Sequence, residues 1–142
     1  MKGFESVLDQ TDLQIIDELS QNSRITMKEL GQKIHLSGPA TSARVLKLEE
    51  QGIIEGYTIL LNPVKMGYTI HAMISIYTKD THHQPYLSFL KKHPLYVLNN
   101  YKISGDSCYL LECRFPSNQE LDSFLTELNE HVNYQLSIVI SK

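Results

Sequence analysis

Five bases, Arg24, Lys28, Lys33, Arg44 and Lys47, stand against one acid, Glu29, over residues 24–48, a local balance of +4. Acids flank this span, with Asp9, Asp12, Asp17 and Glu18 before it and Glu49, Glu50 and Glu55 after it. The chain as a whole carries a formal charge of −3, so only this segment could neutralise phosphates, which is the footprint of a local nucleic-acid-reading element. Histidines His71, His82, His83, His93 and His131 and cysteines Cys108 and Cys113 are the other candidates for chemistry. No two of the histidines have metal-ligand or acid–base spacing on one element, and a site from His82, His83 and a cysteine lacks paired CxxC or HxxxH spacing. The cysteines lie five apart in one strand-like stretch, which turns them to opposite faces. Neither a disulfide nor a shared metal is then easy, and reduced, part-buried thiols fit a reducing compartment. Nothing resembles a phosphate-binding glycine loop or a nucleophile elbow.

The basic span must be held by helices. Asp9 is placed as an N-cap, with Leu8 and Leu13 as a hydrophobic staple and Leu13, Ile16 and Leu19 as an apolar stripe. Thr26 and Glu29 form a capping box, and Ile25 can staple to Leu30. This second helix runs only about nine residues, because Ser37 is a new N-cap and Pro39 suits a first helical turn. A third helix over residues 39–51 stops at Gly52. Two helices joined by so short a turn, with a first to cover their apolar face, make a helix-turn-helix. On a 100° wheel Thr41, Val45 and Leu48 face inward, while Pro39, Ser42, Ala43, Leu46 and Lys47 face out. Residues 53–61 (IIEGYTILL) then read as a β-branched connecting strand, ended by Asn62-Pro63 and Gly67.

From Tyr68 the period becomes strand-like, with Ile70, Ala72, Ile74 and Ile76 alternating with Thr69, His71, Met73, Ser75 and Tyr77. Tyr86, Leu87, Phe89 and Leu90 mark a short helix ending near His93-Pro94. Strands over 95–103 and 108–115 form a hairpin around Ser104-Gly105-Asp106-Ser107. Ser117 and Glu120 form a capping box for a helix bearing Leu121, Phe124, Leu125 and Leu128, and a strand over 132–140 closes the chain. The order βαββαβ is the ferredoxin-like pattern, in which both helices cover one sheet face. The other face, carrying either the Ile70 or the Met73 set, is expected open and apolar, so the chain should self-associate as a dimer.

The fold class is therefore α+β, with a helix-turn-helix over residues 1–54, a linker strand over 55–66 and a ferredoxin-like βαββαβ domain over 67–142. With 42% hydrophobic residues in 142, intrinsic disorder is excluded. No run approaches the roughly 18 to 20 apolar residues of a membrane span, and the opening MKGFESVLDQ lacks the apolar core of a secretory signal, so a soluble, cytoplasmic protein is expected.

Leu8-Asp9…Asp12…Ile15-Ile16…Leu19…Asn22-Ser23-Arg24, Leu30-Gly31 and Leu36-Ser37…Arg44-Val45…Leu48-Glu49…Gly52-Ile53-Ile54…Tyr57 are similar to the Lrp/AsnC (leucine-responsive, feast/famine) family of prokaryotic transcriptional regulators. Ile103-Ser104-Gly105-Asp106…Tyr109-Leu110-Leu111 and Ile138-Val139-Ile140 extend the resemblance over nearly the whole chain. The resemblance implies a winged helix-turn-helix that binds double-stranded DNA. It also implies a ferredoxin-like domain that dimerises, assembles further, often into tetramers of dimers, and commonly binds an amino acid between dimers, with no cofactor or metal. DNA contacts are expected at Lys28, Ser37, Pro39, Ser42, Ala43, Arg44 and Lys47, and effector contacts at Tyr101, Ser104, Gly105, Asp106, Ser107 and Cys108.

The chain departs from the family where Thr41 replaces a usual valine, and where Ser107 and Cys108 replace an aromatic and an acid found in many relatives. That leaves Asp106 as the nearby carboxylate for a ligand ammonium, with backbone N–H groups near Gly105 for its carboxylate. The outward face of the third helix offers almost no bidentate base donors. Ala43 and Leu46 could meet thymine methyls, Lys47 and Arg44 could hold phosphates, and the alternative for Arg44 is a pair with Glu49 or Glu50. Readout is then expected to lean on DNA shape and oligomer spacing. Two other functions compete: an architectural DNA-binding protein without effector, and an enzyme resembling siroheme decarboxylases, which use histidines of the same αβ domain.

Overall fold

Two separate hydrophobic cores organise the chain. The computed structural model describes residues 8–142 and divides into one unit ending at Leu60 and a second spanning Leu61–Lys142. Residues 1–7, most of the opening read above for a signal, lie outside the described residues.

In the first unit α1 spans Gln10–Gln21, α2 Met27–Ile34 and α3 Gly38–Glu50. Each begins on a side-chain cap. The Asp9 carboxylate accepts from the Asp12 N–H at 2.8 Å while Asp12 accepts from the Asp9 N–H at 3.1 Å, so the expected cap is a full capping box. Thr26 and Glu29 form the second box at 3.1 and 3.3 Å, and Ser37 accepts from the Ala40 N–H at 3.2 Å. Gly52, at φ 71°, ends α3 in the left-handed region that favours glycine. Ile15, Leu19, Ile25, Leu30, Ile34, Val45 and Leu48 fill the core, and Leu8 packs against it. Leu13, the staple partner expected for Leu8, is half-exposed, because it lies on the far side of α1 from the Ile15–Leu19 stripe.

Residues 53–61, expected as a strand, contain none. Ile59 and Leu60 are 74% and 98% exposed. Strand propensity is realised only against a partner ladder, and among the described residues no strand pairs with the segment.

The second unit runs β1 Ile70–Thr78, α4 Gln84–Lys91, β2 Val97–Lys102, β3 Tyr109–Phe115, α5 Asn118–Leu128 and β4 Val132–Ile138. The sheet order is β2-β3-β1-β4, all antiparallel, with Ile74 opposite Leu111 on one side and Leu136 on the other. Ala72, Ile74, Ile76, Leu111, Cys113 and Phe115 face Tyr86, Phe89 and Leu90 of α4 and Leu121, Phe124 and Leu128 of α5. The Met73 set is therefore the open one. That face is not uniformly apolar, which corrects the expectation: β1 contributes His71, Met73, Ser75 and Tyr77, and β3 adds Leu110, Glu112 and Arg114 opposite Ser75, Met73 and His71. His71 Nε2 lies 2.6 Å from Glu112 Oε2, and Asn99 Nδ2 donates to Glu112 Oε1 at 2.8 Å.

At α5 the expected capping box is replaced by a different arrangement. Ser117 accepts from the Gln119 N–H, and its hydroxyl donates to the Glu120 carboxylate, which therefore does not reach back to the backbone.

Candidate functional site

The helix-turn-helix is set by a close approach at Gly31. A Cβ built there would lie 2.5 Å from the Leu36 carbonyl oxygen and 2.9 Å from Thr41 Oγ1, so α2 and the turn meet across a bare backbone. His35 takes the left-handed conformation at φ 60° that turns the chain, and the Leu36 N–H donates to the Gly31 carbonyl at 2.9 Å. Thr41, fully buried on the inward face, donates its hydroxyl to the Ser37 carbonyl at 2.8 Å, which satisfies its polar atom within the core.

With α3 so fixed, Thr41, Val45 and Leu48 point into the core, and Pro39, Ser42, Ala43, Leu46 and Lys47 are exposed together on the other side. Lys28 is exposed at the start of α2, and Ser37 is exposed with its hydroxyl engaged as the α3 cap. Leu46 borders a shallow groove of about 290 Å³ with Met27 and Tyr57. Lys33 is drawn out of the basic span by an ion pair with Glu18 at 3.1 Å, whereas Lys28 and Lys47 make no ion pair among the described residues.

Arg44 stands apart from the exposed set. Its Nη1 donates to Asp9 Oδ2 at 2.7 Å, Asp9 Oδ1 at 2.9 Å and Asp12 Oδ1 at 3.3 Å. The pairing with Glu49 or Glu50 is not formed; Glu49 instead accepts from the Tyr57 hydroxyl at 3.0 Å. The Arg44 guanidinium holds the Asp9 carboxyl below the usual carboxylate range, and Asp9 in turn raises Arg44. The sequence places Asp9 as an N-cap and Asp12 only among the flanking acids, and shows neither as a partner of α3, because 35 and 32 residues separate the pairs and no local spacing signals them.

In the second unit the expected effector residues line one hairpin tip. Tyr101, Ser104, Gly105 and Asp106 are exposed, and Ser107 and Cys108 are half-buried. Gly105 has φ 115°, where an L side chain is strained, and the Ile103 N–H closes the turn on the Cys108 carbonyl at 3.1 Å. Behind the tip, Thr78 Oγ1 lies 3.2 Å from both Cys108 Sγ and His83 Nε2, and His83 Nδ1 lies 3.0 Å from the Tyr109 hydroxyl. The hydrogen bond with Thr78 lowers the Cys108 thiol from its ordinary value, while burial pushes Cys113 up to about 12. The folded protein should accordingly take up one equivalent of iodoacetamide, at Cys108, and the second only on denaturation. Equal labelling of both thiols in the native state would contradict this placement.

Two further histidines are held against neighbours. His93 Nε2 lies 3.2 Å from Glu127, and His131 packs on Phe89. Among the described residues no three His, Cys, Asp or Glu side chains gather as a metal ion would require.

Comparison with known proteins matches both units. A family model described as winged helix-turn-helix DNA-binding covers residues 8–55, and one described as the Lrp/AsnC ligand binding domain covers residues 71–142. The chain is 58% identical to the HTH-type transcriptional regulator LrpA of Bacillus subtilis over 136 residues, which are 96% of this chain and 100% of that one. The solved structure of B. subtilis LrpC aligns with a TM-score of 0.88 at 32% identity, over 95% of this chain and 96% of that one. A transcriptional regulator of Neisseria meningitidis, solved as a complex with L-Met, aligns at 0.87 with 27% identity, over 95% and 91% of the two chains.

Proposed function

The chain belongs to the Lrp/AsnC family of DNA-binding transcriptional regulators, and from that premise we propose how this member reads DNA and what its second unit senses. The α3 face of Pro39, Ser42, Ala43 and Leu46 enters the major groove. Lys28 and Lys47 hold phosphates at its edge, with Ser37 at the helix start. The carrying observation is the composition of that face: residues 39–47 contain neither Asn nor Gln, and their one arginine, Arg44, is turned to α1. Base edges are therefore met by small and apolar groups, and discrimination rests on thymine methyls and on DNA shape.

A second copy covers the surfaces that one chain leaves open. These are the mixed sheet face around Met73 and Leu110, and the unpaired, strand-forming segment 53–61 with exposed Ile59 and Leu60. A two-fold dimer places its two α3 helices at half-sites about 10 base pairs apart, or a multiple of that. Dimers assemble further, and an amino acid binds at the tip formed by Tyr101, Ser104, Gly105, Asp106, Ser107 and Cys108. Backbone N–H groups near Gly105 meet its carboxylate and Asp106 its ammonium. The L-Met complex of the Neisseria regulator supports this ligand class. The site of action is the cytoplasm, where the DNA is; among the described residues no helix is long and apolar enough to cross a membrane.

Hydroxyl-radical footprinting, with the mass of the free protein from sedimentation, tests this reading. Protections repeating every ~10 base pairs from a particle larger than a monomer are expected. A monomer, or a footprint without that period, would contradict it.

A further inference from the structure

We propose that Arg44, gripped by Asp9 and Asp12, is a positioning residue that locks the DNA-reading helix α3 to the start of α1 and does not itself hold a phosphate. The inference rests on the reading of α3 as the DNA-contacting helix.

Geometry separates Arg44 from the outward face. At about 100° per residue it sits only about 40° from buried Leu48 and about 60° from Lys47 at the edge of the outward face, and about 100° or more from Pro39, Ser42, Ala43 and Leu46. Its guanidinium reaches three carboxylate oxygens within 3.3 Å, two of them on Asp9. Both carboxylates are already oriented by the backbone N–H groups of the capping box, so the ion pair orders little that is not ordered already. Asp9 is exposed over 55% of its side chain and Asp12 over only 17%, so solvent screens the Arg44–Asp12 arm less than the Arg44–Asp9 arm.

Charge counting points the same way. One guanidinium faces two carboxylates, so an approaching phosphate meets a cluster of net charge −1. For Arg44 to leave for that phosphate, Asp9 and Asp12 would be left unpaired beside a polyanion. The grip also has a use. Apart from Lys47, the outward face of α3 is built from side chains no longer than leucine that cannot reach after a displaced groove, so the pose of the helix decides what it touches. The Gly31–Leu36–Thr41 approach fixes α3 to α2 and the turn, and the Arg44 grip fixes it to α1.

The test titrates a labelled duplex from upstream of the protein's own gene with full-length wild type, Arg44→Gln, Asp9→Asn/Asp12→Asn and the triple variant, over a salt series. Asparagine keeps the α1 cap, so the double variant is expected to fold, which its thermal unfolding checks. A positioning role predicts that Arg44→Gln and the double variant each weaken binding about tenfold. The triple variant should be no weaker than the worse of the two, with salt slopes equal to wild type, because the three residues act as one unit. A phosphate contact predicts the reverse: Arg44→Gln lowers the salt slope by about 1, and the double variant, freed of two negative charges, binds more tightly. Either result overturns the proposal.

Amide exchange without DNA gives an independent reading. Residues 41–48 should exchange several-fold faster in the double variant, and unchanged exchange would also overturn the grip. If α3 exchange responds but no form binds any duplex, the DNA-reading role of α3 fails and the grip alone remains, which keeps the two failures distinct.

Discussion

Gly31→Ala is expected to destabilise the helix-turn-helix unit by roughly 1–3 kcal/mol, although alanine is the better helix former by about 1 kcal/mol. The new Cβ would lie 2.5 Å from the backbone oxygen of Leu36, which is held by the turn itself and cannot rotate aside as a side chain could. Relief requires α2 and the turn to part, which also moves Thr41 and the start of α3. Thermal unfolding should show the midpoint of this unit falling by at least about 5 °C, while the αβ unit, with its own core, is unchanged. DNA affinity should fall with it. Gly38→Ala supplies the contrast: a Cβ at that position meets nothing within 4 Å, and the change should be neutral or mildly stabilising. An alanine at position 31 that stabilised the unit, as helix propensity alone requires, would contradict the close approach.

Replacing Lys28 and Lys47 together by alanine should have the largest effect on binding itself. Each cation that neutralises a phosphate contributes about 0.9 to the slope of log affinity against log salt, so the slope should fall by about 2 per protomer and the affinity by ten- to a hundredfold at low salt. Both side chains are exposed, and neither is committed to an acid among the described residues. Lys33→Ala is the matched control, because its ammonium is paired with Glu18 at 3.1 Å and its loss should leave the slope nearly unchanged. An unaltered slope in the double variant would remove these lysines from the interface.

What could be read from the sequence follows the range of the forces involved. Caps at Asp9, Thr26 and Ser37 are local contests between a side chain and nearby N–H groups, and each stands where spacing placed it. The inward stripe of Thr41, Val45 and Leu48 follows from helical period alone, and the βαββαβ order from the change of period after Tyr68. Features that depend on a distant partner were not legible. Arg44 reads in the sequence as a phosphate contact or a partner of the nearby Glu49 or Glu50, whereas its actual partner Asp9 lies 35 positions earlier. The open sheet face looked apolar from β1, but the antiparallel register sets Glu112 against Met73 and Arg114 against His71. Residues 53–61 have strand-forming side chains but, among the described residues, no strand to join. Even a local signal can be redirected, as at Ser117, where the hydroxyl donates to Glu120.

The central claim is that α3 meets DNA through short side chains edged by phosphate-binding lysines. Its most direct test is a titration of the protein onto its own upstream fragment and onto a shuffled fragment of equal composition, across a salt series. Steeply salt-dependent binding to both fragments is predicted, with the upstream fragment preferred by less than about 10⁴. A larger preference would mean direct base readout that this helix face does not offer, and an absence of binding at low salt would contradict the account outright.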